Sequence, residues 1–282
     1  DLFQCYHYRV QQKLEQAKRQ NLVTDYLDIT ELTQRNWQRL LLDVAVLYAC
    51  RIPATIPEIK LLCYAKGLGI TIIYDIDDLI FDATAFPAAL ETYAGTIDET
   101  THLHLKMDNP FFLNALKFAD VCVASTLALA QEIAEQVNAN VPVIVHPNVL
   151  PYDLYHLAQA EQRAAQKKRQ TPVTIVYGSA TQAHKQSFYE MFLPAVLKVL
   201  KKMPQLRLVL IGYFAGIPAE FKKQISVLEP CSDFMEYINL LKTADISVAI
   251  LEQSRLTDTK SEIKWLEAAA LSIPSIVTPT KA

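Results

Sequence analysis

Apolar positions along the chain fall into two successive series. In the first half, Leu42–Cys50 and Ile70–Tyr74 are apolar at nearly every position, and Asp120–Ser125 and Val141–His146 are shorter runs of the same kind. Strands without polar alternation are buried on both faces, as in a parallel sheet. Before and between them, apolar residues recur at helical spacing. That spacing predicts helices over Tyr8–Gln20 (with Val10, Leu14 and Ala17 on one stripe), Leu32–Leu40, Ile56–Ala65, His102–Ala119 and Leu127–Val137. Gly67-Leu68-Gly69 closes the third of these, and Pro110 is expected to break or kink the fourth. Leu22–Ile29 alternates weakly, as an exposed strand does. Residues 82–98, with Pro87 and Gly95, read as loop.

After Pro147-Asn148 the pattern changes. Tyr152–Arg169 has helical spacing but is strongly polar, and its Lys167-Lys168-Arg169 run reads as the exposed face of a linker. New strands follow at Val173–Tyr177, Leu206–Ile211, Ile246–Leu251 and Ile273–Val277. Helices at Ala183–Met203, near Ala219–Gln224, at Phe234–Thr243 and from Lys260 onward separate them. The fold class is therefore α/β: two Rossmann-like parallel-sheet domains, residues 1–150 and 173–282, joined by a linker helix at 151–172. Two such sheets facing each other put their strand carboxyl ends around one cleft, where α/β ligands bind.

Composition narrows the function. The 282 residues, 51% of them hydrophobic, suffice for two cores. A net charge of -3 and a pI near 6.1 argue against a general nucleic-acid binder. Cys5, Cys50, Cys63, Cys122 and Cys231 are scattered, form no CxxC pair, and read as buried thiols in a reducing compartment. No apolar run approaches the ~20 residues of a membrane span, so a cytoplasmic protein, at most peripheral to the inner membrane surface, is expected.

The C-terminal stretch carries the main chemical signal. Thr259 and Glu262 have capping-box spacing, which predicts a helix from Lys260. On that helix Glu267 lies inside the apolar arc between Ile263 and Leu271, where a carboxylate needs a bound partner. Lys260, Ser261 and the free amides of a first turn suit a phosphate, while Glu267 accepts hydrogen bonds from hydroxyls further along. The plainer reading has Glu267 reaching the helix edge or pairing with Lys264.

Glu267 opens Glu-Ala-Ala-Ala-Leu-Ser-Ile-Pro-Ser-Ile-Val, which resembles the end of the donor-binding motif of retaining nucleotide-sugar glycosyltransferases of family 4. The resemblance implies the GT-B fold, a ribose-binding role for Glu267, no metal, and no cofactor beyond the nucleotide-diphosphate sugar itself. The family has a second Glu eight residues earlier, where this chain has Thr259. Lys260-Ser261-x-x-Lys264-x-x-Glu267 looks like one branch of it. GT-B domains normally carry more material, so the resemblance also implies a chain shortened at both ends.

Gly178-Ser179-Ala180 follows a strand and precedes a helix, a context in which backbone amides approach a diphosphate. The family has Gly-Arg here and a Lys six residues after the Gly; in this chain those places hold Ser179 and His184, with Lys185 beside it. Lys185, Lys260 and Lys264 are the natural groups to neutralise a leaving diphosphate. Asp75-Ile76-Asp77-Asp78 ends a strand with three carboxylates, some of which must be bound, capped or protonated. It too resembles this branch. Asp77 or Asp78 is expected to meet sugar hydroxyls, with the other capping a helix. Arg9 and Arg51 fall on the acceptor side. His102 and His104, two apart on a predicted helix, point to different faces and make poor metal ligands.

The expectation is a glycosyltransferase moving a sugar from a nucleotide-diphosphate donor to a saccharide, lipid or protein acceptor, with Asp77, Asp78, Lys185 and Lys260 at the reacting centre and no metal site. Two alternatives come from other classes. A D-x-D phosphatase would hold Mg²⁺, although Leu79-Ile80-Phe81 does not continue that motif. A non-catalytic nucleotide-sugar-binding module would bind donor without turnover.

Overall fold

A computed structural model describes residues 3–156, 172–179, 185–231 and 233–281. The first half builds a parallel sheet from β1 (Val46–Cys50), β2 (Thr71–Ile76), β3 (Val121–Ala124) and β4 (Val143–Val145), paired in that order. The second builds another from β5 (Thr174–Ser179), β6 (Arg207–Gly212), β7 (Ile225–Leu228), β8 (Ile246–Ala249) and β9 (Ser275–Val277), in the order β7-β6-β5-β8-β9. The predicted pair of Rossmann-like α/β sheets is thus present. Ile72, Tyr74 and Cys122 are fully buried at the centre of the first, and Leu208 and Leu210 at the centre of the second, as near-continuous apolar runs require.

The helices are α1, a continuous run made of Phe3–Tyr6, a π-helical His7–Gln11 and Gln12–Arg19; α2 (Trp37–Leu40); α3 (Ile56–Gly67); α4 (Glu99–Phe118); α5 (Leu127–Gln136); α6 (Leu193–Lys202); α7 (Phe234–Leu241); α8 (Arg255–Asp258); and α9 (Ile263–Ala270). Side-chain caps fix several starts: Asp98 accepts from the Thr101 amide, Thr126 from Leu129 and Asp233 from Glu236. The predicted linker helix is visible only as helical turns at 152–156; its remainder lies outside the described residues.

Several local expectations are corrected. Leu22–Ile29 forms no strand: Asn21 turns the chain at φ 57, and Leu22 and Val23 project into solvent with no partner strand to supply ladder hydrogen bonds. Leu41–Asp43 is a 3₁₀ turn, so β1 starts only at Val46, and Trp37–Leu40 is all that forms of the helix expected from Leu32. Pro110 sits inside an uninterrupted α4. Asn109 beside it donates to the Ile80 carbonyl at 2.5 Å, and Ala115 and Leu116 are fully buried one to two turns on, so packing holds the helix through the proline. Ala219–Phe221 is a 3₁₀ turn leading into β7, an edge strand the apolar pattern did not announce. Finally, the capping box belongs to Ser254 and Thr257 at the start of α8, not to Thr259 and Glu262. Lys260 and Ser261 therefore lie in the link between α8 and α9 rather than in a first helical turn.

The two halves insert into each other. Leu256 of α8 is buried in the core of the first sheet, and Tyr8 of α1 is buried with Val176, Ile211, Phe234, Ile238 and Ala268 against the second. Around this exchange the strand carboxyl ends meet. Thr126 after β3 donates to the Thr259 carbonyl at 3.0 Å, Asn148 after β4 donates to Ser261 Oγ at 2.9 Å, and Arg255 bonds Asp82, Glu132 and Thr84 of the first half.

One glycine is fixed by the second sheet. Gly212 pairs with Ser179 at φ 130, and a Cβ there would lie 2.0 Å from the Ser179 carbonyl oxygen. Gly212→Ala must push β6 off the end of β5, and its cost is expected to be on the order of 3 kcal/mol. Urea denaturation checks this; an unchanged midpoint would contradict so close an approach.

Candidate functional site

The strand order locates a switch point in the second sheet. From β5 the chain moves outward through β6 and β7, then returns to the other side of β5 with β8. Adjacent strands whose connections leave in opposite directions open a crevice at their carboxyl ends. Gly178 and Ser179 end β5 at that point. A Cβ on Gly178 would touch the Tyr237 ring at 3.4 Å and Lys264 Nζ at 3.9 Å, so the absent side chain is what lets these groups approach.

Two ammonium groups converge here. Lys264 Nζ donates to the Gly178 carbonyl at 2.5 Å. Lys185 is 0% exposed; its Nζ has no hydrogen-bond partner among the described residues and rests 4.1 Å from the centroid of the Phe214 ring. Burial and then the neighbouring charge of Lys264 push the Lys185 ammonium down to about 8. Burial also lowers Lys264, against the pull of Glu267. A fully buried ammonium held by one aromatic face and repelled by a second cation is an energetic liability unless an anion completes it.

Glu267 stands beside them on α9, 4% exposed. The Tyr8 hydroxyl donates to its Oε1, and the Tyr237 hydroxyl helps to favour its charged form. Burial pushes its carboxyl up, opposed by Tyr8, Lys264 and Tyr237. Glu267 is thus a core-facing carboxylate held by the Tyr8 hydroxyl, and it does not reach the helix edge as the plainer reading had it.

At the carboxyl end of β2 all three carboxylates of Asp75-Ile76-Asp77-Asp78 are bound. Arg9, 0% exposed, grips Asp75 through Nε at 2.9 Å and Nη2 at 2.8 Å, while its Nη1 donates to the His146 carbonyl at 2.7 Å and to Asn148 Oδ1 at 3.1 Å. The Tyr48 hydroxyl also donates to Asp75. Arg51, in left-handed backbone at φ 48, donates from Nη1 to Asp77 at 2.7 Å, Asp78 at 3.1 Å and Cys5 Sγ at 3.2 Å. Lys260 Nζ pairs with Asp78 across the domain interface. Burial alone would raise Asp78, but Lys260 and then Arg51 hold it down to about 2.

These contacts reassign several residues. Arg9 is a buried brace rather than an open acceptor-side group. Lys260 is neutralised by Asp78 and does not join Lys185 and Lys264. Neither Asp77 nor Asp78 caps a helix. Ser261 is tied to Asn148, and His184 lies outside the described residues. Cys5, Asp77 and Asp78 come close enough together to hold a metal ion. The Arg51 guanidinium already donates to all three, and Asp75 is filled by Arg9, so this donor set does not fit a D-x-D cation. Sequence reasoning gave Tyr8, Tyr237 and Phe214 no part in holding Glu267 or Lys185.

The sequence matches no protein-family model and no curated protein. Among solved structures the chain is similar to alpha,alpha-trehalose 6-phosphate synthase from Burkholderia multivorans, at 13% identity and TM-score 0.47, over 92% of this chain and 64% of that one. It is also similar to the UDP-forming alpha,alpha-trehalose-phosphate synthase from Burkholderia xenovorans in complex with glucose-6-phosphate, at 10% identity and TM-score 0.49, over 98% and 68%. A third is the S. aureus MnaA-UDP co-structure, at 13% and 0.41, over 96% and 69%. The chain spans 64% of the length of the first. Likeness at this distance carries no function across. Among the described residues, no helix is long and apolar enough to cross a membrane.

Proposed function

We propose that the crevice between β5 and β8 binds the diphosphate of a nucleotide sugar and that the protein transfers the sugar to a saccharide, lipid or protein acceptor. The observation that carries this reading is Lys185, buried without an acceptor among the described residues, near Lys264, which itself approaches the bare backbone of Gly178. Buried cations persist where a ligand completes them, and a diphosphate supplies the missing charge and oxygen acceptors. Glu267 accepts hydroxyls of the nucleoside ribose. As the bond from the anomeric carbon to the diphosphate oxygen breaks, negative charge grows beside Lys185 and Lys264, where fixed cations stabilise it. Retention of configuration and independence of metal follow from the family resemblance. Asp77 and Asp78, held by Arg51, face the sugar and acceptor.

A binding module without turnover is favoured by one observation: Lys260 is spent on Asp78, which leaves two cations where the sequence expected three. A thermal-shift panel of UDP, GDP and their sugars, with and without EDTA, tests the binding reading. Saturating nucleotide is expected to stabilise the protein by about 2–3 kcal/mol at a hundredfold excess over Kd, with EDTA making no difference and Glu267→Ala abolishing the effect. No stabilisation, or equal stabilisation of the variant, refutes the site. Turnover of the wild type with a nucleotide sugar then separates the enzyme from the module.

A further inference from the structure

We propose that Tyr8 is a built-in occupant of the nucleoside position, holding Glu267 while the donor is absent and giving way when a ligand diol takes that carboxylate. The inference rests on the nucleotide reading of Glu267. Tyr8 and Glu267 are 259 positions apart, belong to opposite halves, and are each 4% exposed, yet the phenol donates directly to Oε1. A phenol hydroxyl presents to the carboxylate the same group a ribose hydroxyl would: one neutral O–H donor. Glu267 thus already holds a hydroxyl donor of the kind that a ribose brings.

The local backbone is built to deliver this side chain. His7–Gln11 is π-helical, and such extra-residue bulges reorient neighbouring side chains, often at functional sites. Within one residue step, Arg9 is fastened to the first sheet through Asp75, and Tyr8 is fastened to the second half through Glu267. Phe234 supports the second attachment: the His7 ring stacks on it at 4.2 Å, and the Tyr8 ring meets it edge-on at 5.9 Å. A ligand that claims Glu267 therefore loosens α1 from the second half while Arg9 keeps it on the first. Until then only the fraction of molecules with Tyr8 withdrawn binds, which raises the apparent Kd in proportion.

Tyr8→Phe keeps the ring on Phe234 and removes only the competing hydroxyl. Isothermal titration with UDP and GDP is expected to show at least about fivefold tighter binding to the variant than to wild type, by that same proportionality. In wild-type protein, amide exchange across residues 5–12 is expected to speed up on nucleotide addition. Equal or weaker binding to a folded Tyr8→Phe, or slower exchange on nucleotide addition, would overturn the occupant role and leave the nucleotide site standing. If neither protein binds either nucleotide, the occupant role and the nucleotide reading fall together. Melting temperature identifies a misfolded variant, in which case the wild-type exchange measurement decides alone.

Discussion

Arg9→Ala is expected to lose about 3–5 kcal/mol of stability, because it strands the Asp75 carboxylate in a fully buried position. Arg9 satisfies both Asp75 oxygens and ties them to the His146 carbonyl and Asn148, and neither member of the pair is exposed to water. The measurement is the urea midpoint at constant slope, compared with Asp75→Asn and the double variant. The double variant is expected to be more stable than Arg9→Ala alone, since removing the stranded charge removes most of the penalty. The pH dependence has a definite sign. Burial already raises Asp75 against the pull of Arg9, and without Arg9 it rises further, so the native variant binds a proton that the unfolded chain does not. The deficit of Arg9→Ala therefore shrinks as pH falls from neutral toward acid. A variant that keeps wild-type stability and loses only acceptor affinity would restore the acceptor-side role the sequence suggested.

Arg9 marks where sequence reasoning runs out. Three acids closing a strand announce that counter-charges must exist, and the structure supplies Arg9, Arg51 and Lys260. Nothing in a linear pattern says which cation meets which acid when the partners lie 66 and 182 positions apart. The strands were legible for the opposite reason: Thr71–Ile76 and Arg207–Gly212 are buried on both faces, and that requirement is written in consecutive residues. β7, a short edge strand with two exposed positions, carries no such record. Glu267 was legible as a carboxylate on an apolar arc, but its hydroxyl partner from α1 was not. Lys185 entered only through resemblance, since a lone lysine after a strand reads as surface until its burial is known.

That burial gives the prediction most diagnostic of function. Lys185→Met is expected to move stability and ligand binding in opposite directions. Met fills the same slot against Phe214 without an ammonium to desolvate, so the ligand-free variant is expected to gain about 1–2 kcal/mol, the size of gain common when functional strain is removed. In a scan this appears as a Tm higher by about 2–8 °C. Nucleotide affinity should fall by roughly 10- to 150-fold, the worth of one charge-assisted hydrogen bond to phosphate. The free wild type carries a matching pH signature. Its Lys185 is lowered to about 8 from an ordinary value of 10.5, so between those values the unfolded chain holds the proton and the native protein does not. Lys185 therefore contributes a term to native stability that rises with pH through that window, a term that is missing from the Lys185→Met profile and that saturating nucleotide removes by restoring the proton. Stability lost together with binding in Lys185→Met would make Lys185 a structural lysine and remove the diphosphate from this crevice.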